Sequence, residues 1–302
     1  MDKKIILPAG VKIGHEQNEY TGVTCILTDY AVGGVSVRGG APGTRETDML
    51  RAEKSQGFVN AIVLSGGSAY GLEASCGVMK YLREQNIGFS AGDKKVPLVA
   101  QAVLFDLNTP SEYHYPDINM GYAAAKNAAS DNIKFGSVGA GTGATVGKIL
   151  GPMGACKGGI GGATCSFGDV FVTAVVAVNA LGDVFNHTNG QIIAGARLPN
   201  GQYLNTVKAL TDGTLLSIVK MQAGANTTIG CVMTNAKLDK IGVNKLAAVS
   251  HDGLALSIRP VHTDADGDTL FGLSCGNASA DMNIIMALGV EAVARAAENA
   301  VA

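Results

Sequence analysis

FVNAIVLSGGSAYGLEASCGVMKYL, residues 58–82, joins an apolar run broken only by Asn60 to a glycine pair and then to apolar residues at a different spacing. Phe58 to Leu64, with Gly57 before it and Gly66 just after, reads as a buried strand. Leu72, Cys76, Met79 and Leu82 follow at i, i+4, i+7 and i+10, the period of one helix face. Ser68 is the expected N-cap, which puts Tyr70 in the first helical turn. Strand, tight turn and amphipathic helix in direct succession call for a layered protein that mixes both element types.

Working outward, a second helix built of small residues is predicted near Met120 to Ala129. Val170 to Val178 has the unbroken apolar character of a strand buried on both faces, and Asn179 stands at its end. Another strand, TTIGCVMT, covers Thr227 to Thr234. A helical stretch over Leu238 to Leu256 and a short strand over Thr269 to Ser274 come next. Met282, Ile285, Met286, Gly289 and Val293 then fall on one face of a last helix that ends near Asn299. No regular β-α alternation marks a barrel or a doubly wound sheet. The expected fold is a single α/β (α+β) domain over residues 1–302, with helices outside packed sheets.

Composition narrows the function. Of the 302 residues 16% are charged, against a typical ~25%, which excludes a disordered chain. The 41 glycines have no G-X-Y period, so they point to tight turns and close backbone contacts, not collagen. A net charge of -2 gives no electrostatic footprint for nucleic acid or an anionic membrane. The start, MDKKIILPAGVKIG, does not read as a secretory signal, and the apolar stretch Val170 to Gly182 is too short to span a bilayer. The six cysteines show neither C-x-x-C nor zinc spacing, so buried free thiols in a reducing cytoplasm are expected.

Four motifs bear on chemistry. The glycine-rich segment FGSVGAGTGATVGKILGPMGACKGGIGG (135–162) fails as a P-loop, with Thr142 where a glycine is needed and Ile149 after Lys148. It reads as loop backbone packed closely around a site or between subunits. DADGDT (264–269) opens like a calcium loop but has Thr269 at the sixth position and Cys275 at the twelfth, so no metal is expected. GGSAYG (66–71) has Tyr70 where a nucleophile elbow needs its second glycine. Asn226-Thr227-Thr228 stands at the mouth of an apolar strand. A threonine hydroxyl becomes a good nucleophile when its residue is a chain terminus, because its own α-amine, titrating near ~7.7–8.0, is then the base.

Five blocks taken together resemble the L-aminopeptidase/D-esterase family, which includes β-aminopeptidases and nylon-oligomer hydrolases. They are NAIVLSGGSAYGLEASCGV (60–78), GAGTGATVGK (139–148), VVAVNALGD (175–183), GANTTIGCVMTNA (224–236) and IRPVHTDADGDTLF (258–271). The resemblance implies a self-processing hydrolase with a four-layer α-β-β-α sandwich, similar to N-terminal nucleophile hydrolases but with different connectivity. It implies a cut between Asn226 and Thr227 into pieces 1–226 and 227–302, with Thr227 as nucleophile. By the same resemblance Asn179 is the oxyanion-stabilising asparagine, while Lys148, Tyr70, Asp266 and Asp268 match active-site residues of the nylon-hydrolase branch. Asp266 and Asp268 are expected to hold the Thr227 ammonium or Lys148. The β-aminopeptidases have a serine and a glutamate at those two positions, which sets this chain apart from them.

The implied function is an aminopeptidase-like amide hydrolase acting on short peptides, amino-acid amides or ω-amino-acid oligomers. It needs no cofactor and has neither a nucleic acid nor a membrane as partner. A homo-oligomer, a tetramer of αβ units, follows from the resemblance. An uncleaved ligand- or anion-binding protein on the same scaffold, and an acyltransferase with the same nucleophile, are the alternatives.

Overall fold

The computed structural model describes residues 5–108, 112–131, 133–213 and 226–302. Nine strands form its main sheet: β1 (Lys12–Gln17), β2 (Gly22–Val37), β3 (Gly43–Arg45), β4 (Phe58–Ser65), β5 (Val99–Val103), β6 (Gly159–Phe167), β7 (Val170–Asn179), β8 (Thr227–Ala236) and β9 (Thr269–Ala278). The order is β6-β7-β8-β9-β2-β4-β5-β3, with β1 also paired to β2. The pairs β8–β9 and β4–β5 are parallel and the others antiparallel. Among the described residues five α-helices accompany them: α1 (Ala74–Glu84), α2 (Ile118–Lys126), α3 (Thr206–Thr211), α4 (Lys240–Ser257) and α5 (Met282–Asn299).

Strand β2 serves two layers. A register irregularity between Leu27 and Ala31 divides it. Its first half lies between β1 and β4, and its second half pairs with β9. A bulge of this kind bends a strand and increases its twist, so the sheet can turn over on itself. Side-chain alternation shows that it does. On β7, Val172, Ala174, Val176 and Val178 pack toward α5, while Val175 and Ala177 join an inner core. That inner core also takes Ile229, Cys231 and Met233 of β8 and Phe271 and Leu273 of β9, together with Ile62 and Leu64 of β4 and Ala100 and Ala102 of β5. Two strands separate β4 from β8 within the sheet, so their side chains share one core only because the two halves face each other. The opposite faces of β2 and β4 carry Val23, Cys25, Ala61 and Val63 against α1 and α2. The four layers are therefore α4/α5, β6 to β9, β1/β2/β4/β5 and α1/α2.

The helix after β4 differs from its predicted form. Ser68 caps nothing with its side chain and has φ +51°. A 3₁₀ turn over Ser68–Glu73 precedes α1, with Gly67 (φ +82°) as its cap residue and the Ser68 N–H bound to the Leu104 carbonyl at 2.9 Å. Tyr70 therefore lies in that 3₁₀ turn. The buried face of α1 is Ala74, Gly77, Val78 and Leu82, while Cys76 and Met79 are only half-buried against the Arg45 guanidinium. The reason is the α1–α2 crossing. A Cβ on Gly77 would collide with the Ile118 carbonyl and one on Gly121 with the Ala74 carbonyl, so small residues, not the largest apolar ones, mark the contact. Similarly, Gly159–Gly162 of the glycine-rich segment is strand β6, not loop.

The other predicted elements appear in place. Asp239 caps α4, accepting from the Gly242 N–H at 2.7 Å, and Ile285, Gly289 and Val293 are buried on α5. All six cysteines are unpaired; Cys25, Cys165 and Cys231 are buried and the other three partly so. Among the described residues no helix is long and apolar enough to cross a membrane.

Candidate active site

Alternation along β7 and β8 decides what meets at their ends. Val175 and Ala177 point into the inner core, so Asn179 does too. Ile229, Cys231 and Met233 point the same way, which carries Thr227 to that side. The two residues are ladder partners, Asn179 on the last position of β7 and Thr227 on the first of β8. Thr228 faces the other side, and its buried hydroxyl has no hydrogen-bond partner among the described residues.

Thr227 is 3% exposed, and its hydroxyl donates to the carbonyl oxygen of Asn226. The Gly267 N–H donates to the same oxygen at 3.0 Å. A Cβ on residue 267 would stand 2.8 Å from Thr227 Oγ1 and 3.0 Å from the Ala41 carbonyl, so glycine leaves room for both groups. The peptide bond between Asn226 and Thr227 thus has a hydroxyl beside its carbonyl and an amide donor on its oxygen. Those are the two requirements for intramolecular attack and for holding the charge that develops.

Lys148 reaches this spot from a tight loop. Gly147 has φ +68°, and the N–H groups of Gly147 and Lys148 bind the carbonyls of Gly182 and Leu181, both at 3.0 Å. Lys148 Nζ then donates to Asn179 Oδ1 at 2.7 Å and to the Asn179 carbonyl at 3.0 Å. Asn179 Oδ1 also accepts from the Thr145 N–H at 3.0 Å, and Asn179 Nδ2 donates to the Phe105 carbonyl at 2.7 Å. Two donors at one end and a carbonyl at the other fix the orientation of this amide. The donor expected to stabilise an oxyanion is thus already engaged, and the Lys148 amine stands beside it. Burial pulls the Lys148 amine down to about 7, against the charges of Asp266 and Asp106.

The two acids divide their work differently from expectation. Asp268 Oδ1 accepts from the Thr228 N–H at 2.6 Å, and Asp268 Oδ2 faces His262. Asp266 Oδ2 accepts from the Thr263 N–H at 2.7 Å. No hydrogen bond joins either acid to Lys148 among the described residues; Asp266 acts on it through charge alone. Burial, then the neighbouring Asp268, push the Asp266 carboxyl up to about 6. Asp264, the third acid of the run, is exposed, and no group of three His, Cys, Asp or Glu side chains among the described residues is placed to hold a metal.

Tyr70 stands apart. It is 55% exposed and packs its ring on Tyr113 and Tyr115, with centroids 5.6 and 5.4 Å away. It has no hydrogen bond to Thr227, Asn179 or Lys148. Two participants escaped the sequence reading: Gly267 and Asp106. The last is 3% exposed, accepts from the Gly67 N–H at 2.7 Å and is pushed up to about 6, mainly by burial. It lies just beyond β5, a strand too short and too weakly patterned to stand out.

The model of peptidase family S58 matches residues 6–302. The chain belongs to peptidase family S58. An uncharacterized aminopeptidase of Mycobacterium leprae is 39% identical to this S58 chain over 284 residues, covering 88% of this chain and 75% of its own length. The 6-aminohexanoate-oligomer endohydrolase of Kocuria sp. is 32% identical over 268 residues, covering 88% and 73%. The L-aminopeptidase D-Ala-esterase/amidase of Ochrobactrum anthropi, a variant of the Ntn hydrolase fold, superposes with a TM-score of 0.70 at 18% identity over 99% of this chain and 87% of its own. This S58 chain is a hydrolase of the peptidase class.

Proposed function

We propose that the protein is an autoproteolytic amide hydrolase with an N-terminal threonine nucleophile, aminopeptidase-like on short peptides, amino-acid amides or ω-amino-acid oligomers. The observation that carries this reading is the Thr227 hydroxyl on the Asn226 carbonyl, with the Gly267 N–H on the same oxygen. In the first step Thr227 Oγ attacks the Asn226 carbonyl carbon while neutral Lys148 takes the hydroxyl proton. The Gly267 N–H holds the oxyanion. The C–N bond breaks, the amine of Thr227 leaves with a proton, and an ester joins Asn226 to the Thr227 side chain. Water hydrolyses that ester, leaving a carboxylate on Asn226 and a free α-amine on Thr227.

In the processed enzyme the new amine serves as base for its own hydroxyl, and the same attack is made on an external amide. Lys148, bonded to Asn179 beside Thr227, is a donor available to the developing oxyanion. Aminopeptidase and 6-aminohexanoate-oligomer hydrolase relatives support the substrate range.

Intact-mass measurement of purified protein tests the reading. Scaling 30.8 kDa by length, the products of nucleophile release are roughly 23 and roughly 8 kDa. A single 30.8 kDa species with full amide-hydrolysing activity overturns the terminal-amine mechanism. Asp266→Asn is expected to slow turnover by about 10²-fold while the protein stays soluble, because it removes the buried charge that faces Lys148. Steady-state rates alongside a melting curve check this, and turnover equal to the wild type would remove Asp266 from the site.

A further inference from the structure

We infer that His262 is a positioning residue of this site, holding the Asp268 carboxyl that anchors the Thr228 N–H and so presents Thr227 to its carbonyl. The inference rests on the reading of Thr227 as nucleophile.

Asp268 is 1% exposed and lies two residues from Asp266, itself buried. Two neighbouring carboxyls out of water do not both ionise readily, so the groups bound to each decide which one keeps the charge. Asp268 receives three donors: the Thr228 N–H at 2.6 Å on Oδ1, and the His262 N–H at 3.0 Å and ring Nδ1–H at 2.7 Å on Oδ2. Among the described residues the Asp266 carboxyl is hydrogen-bonded by Thr263 alone, through its N–H and its side chain. Hydrogen bonds to a carboxylate favour its charged form. Asp268 is therefore the more firmly held acid of the pair, and Asp266 is the member that burial and the neighbouring Asp268 push upward.

His262 is built into place for this. Its backbone is left-handed, φ +60°, a conformation costly for a histidine, and the ring and backbone bonds to one carboxylate offset that cost. His251, wholly buried on α4, sets its ring edge against the His262 ring at 4.7 Å. The Nε2–H of His251 is spent on the Ser36 carbonyl at 3.0 Å, and burial keeps this ring neutral, its pKa lowered to about 4. It walls off His262 without competing for Asp268. The charged and titratable groups facing the cluster are Arg38 on the His251 side, Lys148 on the Asp266 side and the two acids themselves. Neither proposed chemical step uses His262, and Asp268 links it to the first peptide group of β8.

Two variants separate positioning from packing. His262→Ala removes the ring donor. His262→Asn keeps a short donor for Asp268 and tolerates the left-handed backbone, but cannot carry a positive charge. With alanine p-nitroanilide as substrate, His262→Ala is expected to lower kcat about tenfold or more with little change in KM. His262→Asn is expected to recover most of that rate. In both variants the acid limb of the rate profile should move to higher pH, because the Asp266 carboxyl loses the charge of His262 that works against its upward shift.

If His262→Ala does not fold, His262→Asn alone decides the matter through its pH profile. An acid limb unmoved from wild type in every variant that folds overturns the inference, as does an undiminished kcat in a folded His262→Ala. A wild-type chain that neither splits at Thr227 nor hydrolyses the anilide removes the nucleophile reading and this inference with it. A wild type that does both while the variants match it sinks only the role of His262.

Discussion

Thr227→Ala is expected to give a folded, full-length 30.8 kDa chain without measurable hydrolysis, a loss of about 10⁴-fold or more, the scale on which a covalent nucleophile matters. Thr228→Ala is expected still to split, at least in part. The two residues are adjacent, but strand alternation sends their side chains to opposite faces of β8. Thr227 lies on the inner face with its hydroxyl on the Asn226 carbonyl, and Thr228 lies on the outer one with its hydroxyl unpartnered among the described residues. What Thr228 contributes is its backbone N–H to Asp268, which alanine retains. On the proposed mechanism only Thr227 attacks the preceding carbonyl, and only Thr227 gains the free amine afterwards. N-terminal sequencing of the small fragment reads the result. A first residue of Thr228, or splitting that survives Thr227→Ala, places the nucleophile elsewhere.

Lys148→Met is expected to slow processing by about 10²-fold or more. Before the cut Thr227 has no free amine, so its hydroxyl needs a base from another residue. Lys148, bonded to the ladder partner of Thr227, is the amine that burial brings to about 7. The sign follows: below that pH the amine is charged and cannot accept a proton, and above it the neutral base accumulates. The processing rate of freshly made wild-type precursor should therefore rise as pH passes through about 7 and then level off. Lys148→Arg keeps a hydrogen-bond donor for Asn179 but stays charged throughout, and is expected to process as poorly as the methionine variant. A gel time course from pH 5.5 to 8.5 follows the two bands. A rate independent of pH, or a methionine variant that splits as fast as wild type, overturns the assignment of Lys148 as base.

Long strands with unbroken apolar runs were legible from the sequence, and so were the helices whose polar ends mark them. β7, β8, α4 and α5 appear where the spacing put them, because burial on both faces and a 3.6-residue period leave few alternatives. Elements made of small residues were not legible in the same way. The α1 face went wrong because Gly77 and Gly121 make a close crossing that a count of large apolar residues cannot register. β6 was hidden inside a run of glycines, where missing side chains look like loop but serve the approach of α5: a Cβ on Gly161 would collide with the Ala296 carbonyl.

By itself the sequence determined which residue types were available for the chemistry and, through strand period, that Thr227 and Thr228 point apart. Its motif blocks also identified the family. Only the tertiary structure decided the partners. Asn179 meets Lys148 and Thr227 because β7 and β8 are antiparallel neighbours in one register, and Asp268 meets Thr228 because β9 starts beside β8 in a parallel pair. Gly267 reaches the Asn226 carbonyl through the same parallel start, and Asp106 enters because the bulge in β2 turns the sheet over and sets the end of β5 opposite the end of β7. Local sequence governs periods and turns. Contacts across many residues depend on register and layer stacking, which no single stretch encodes.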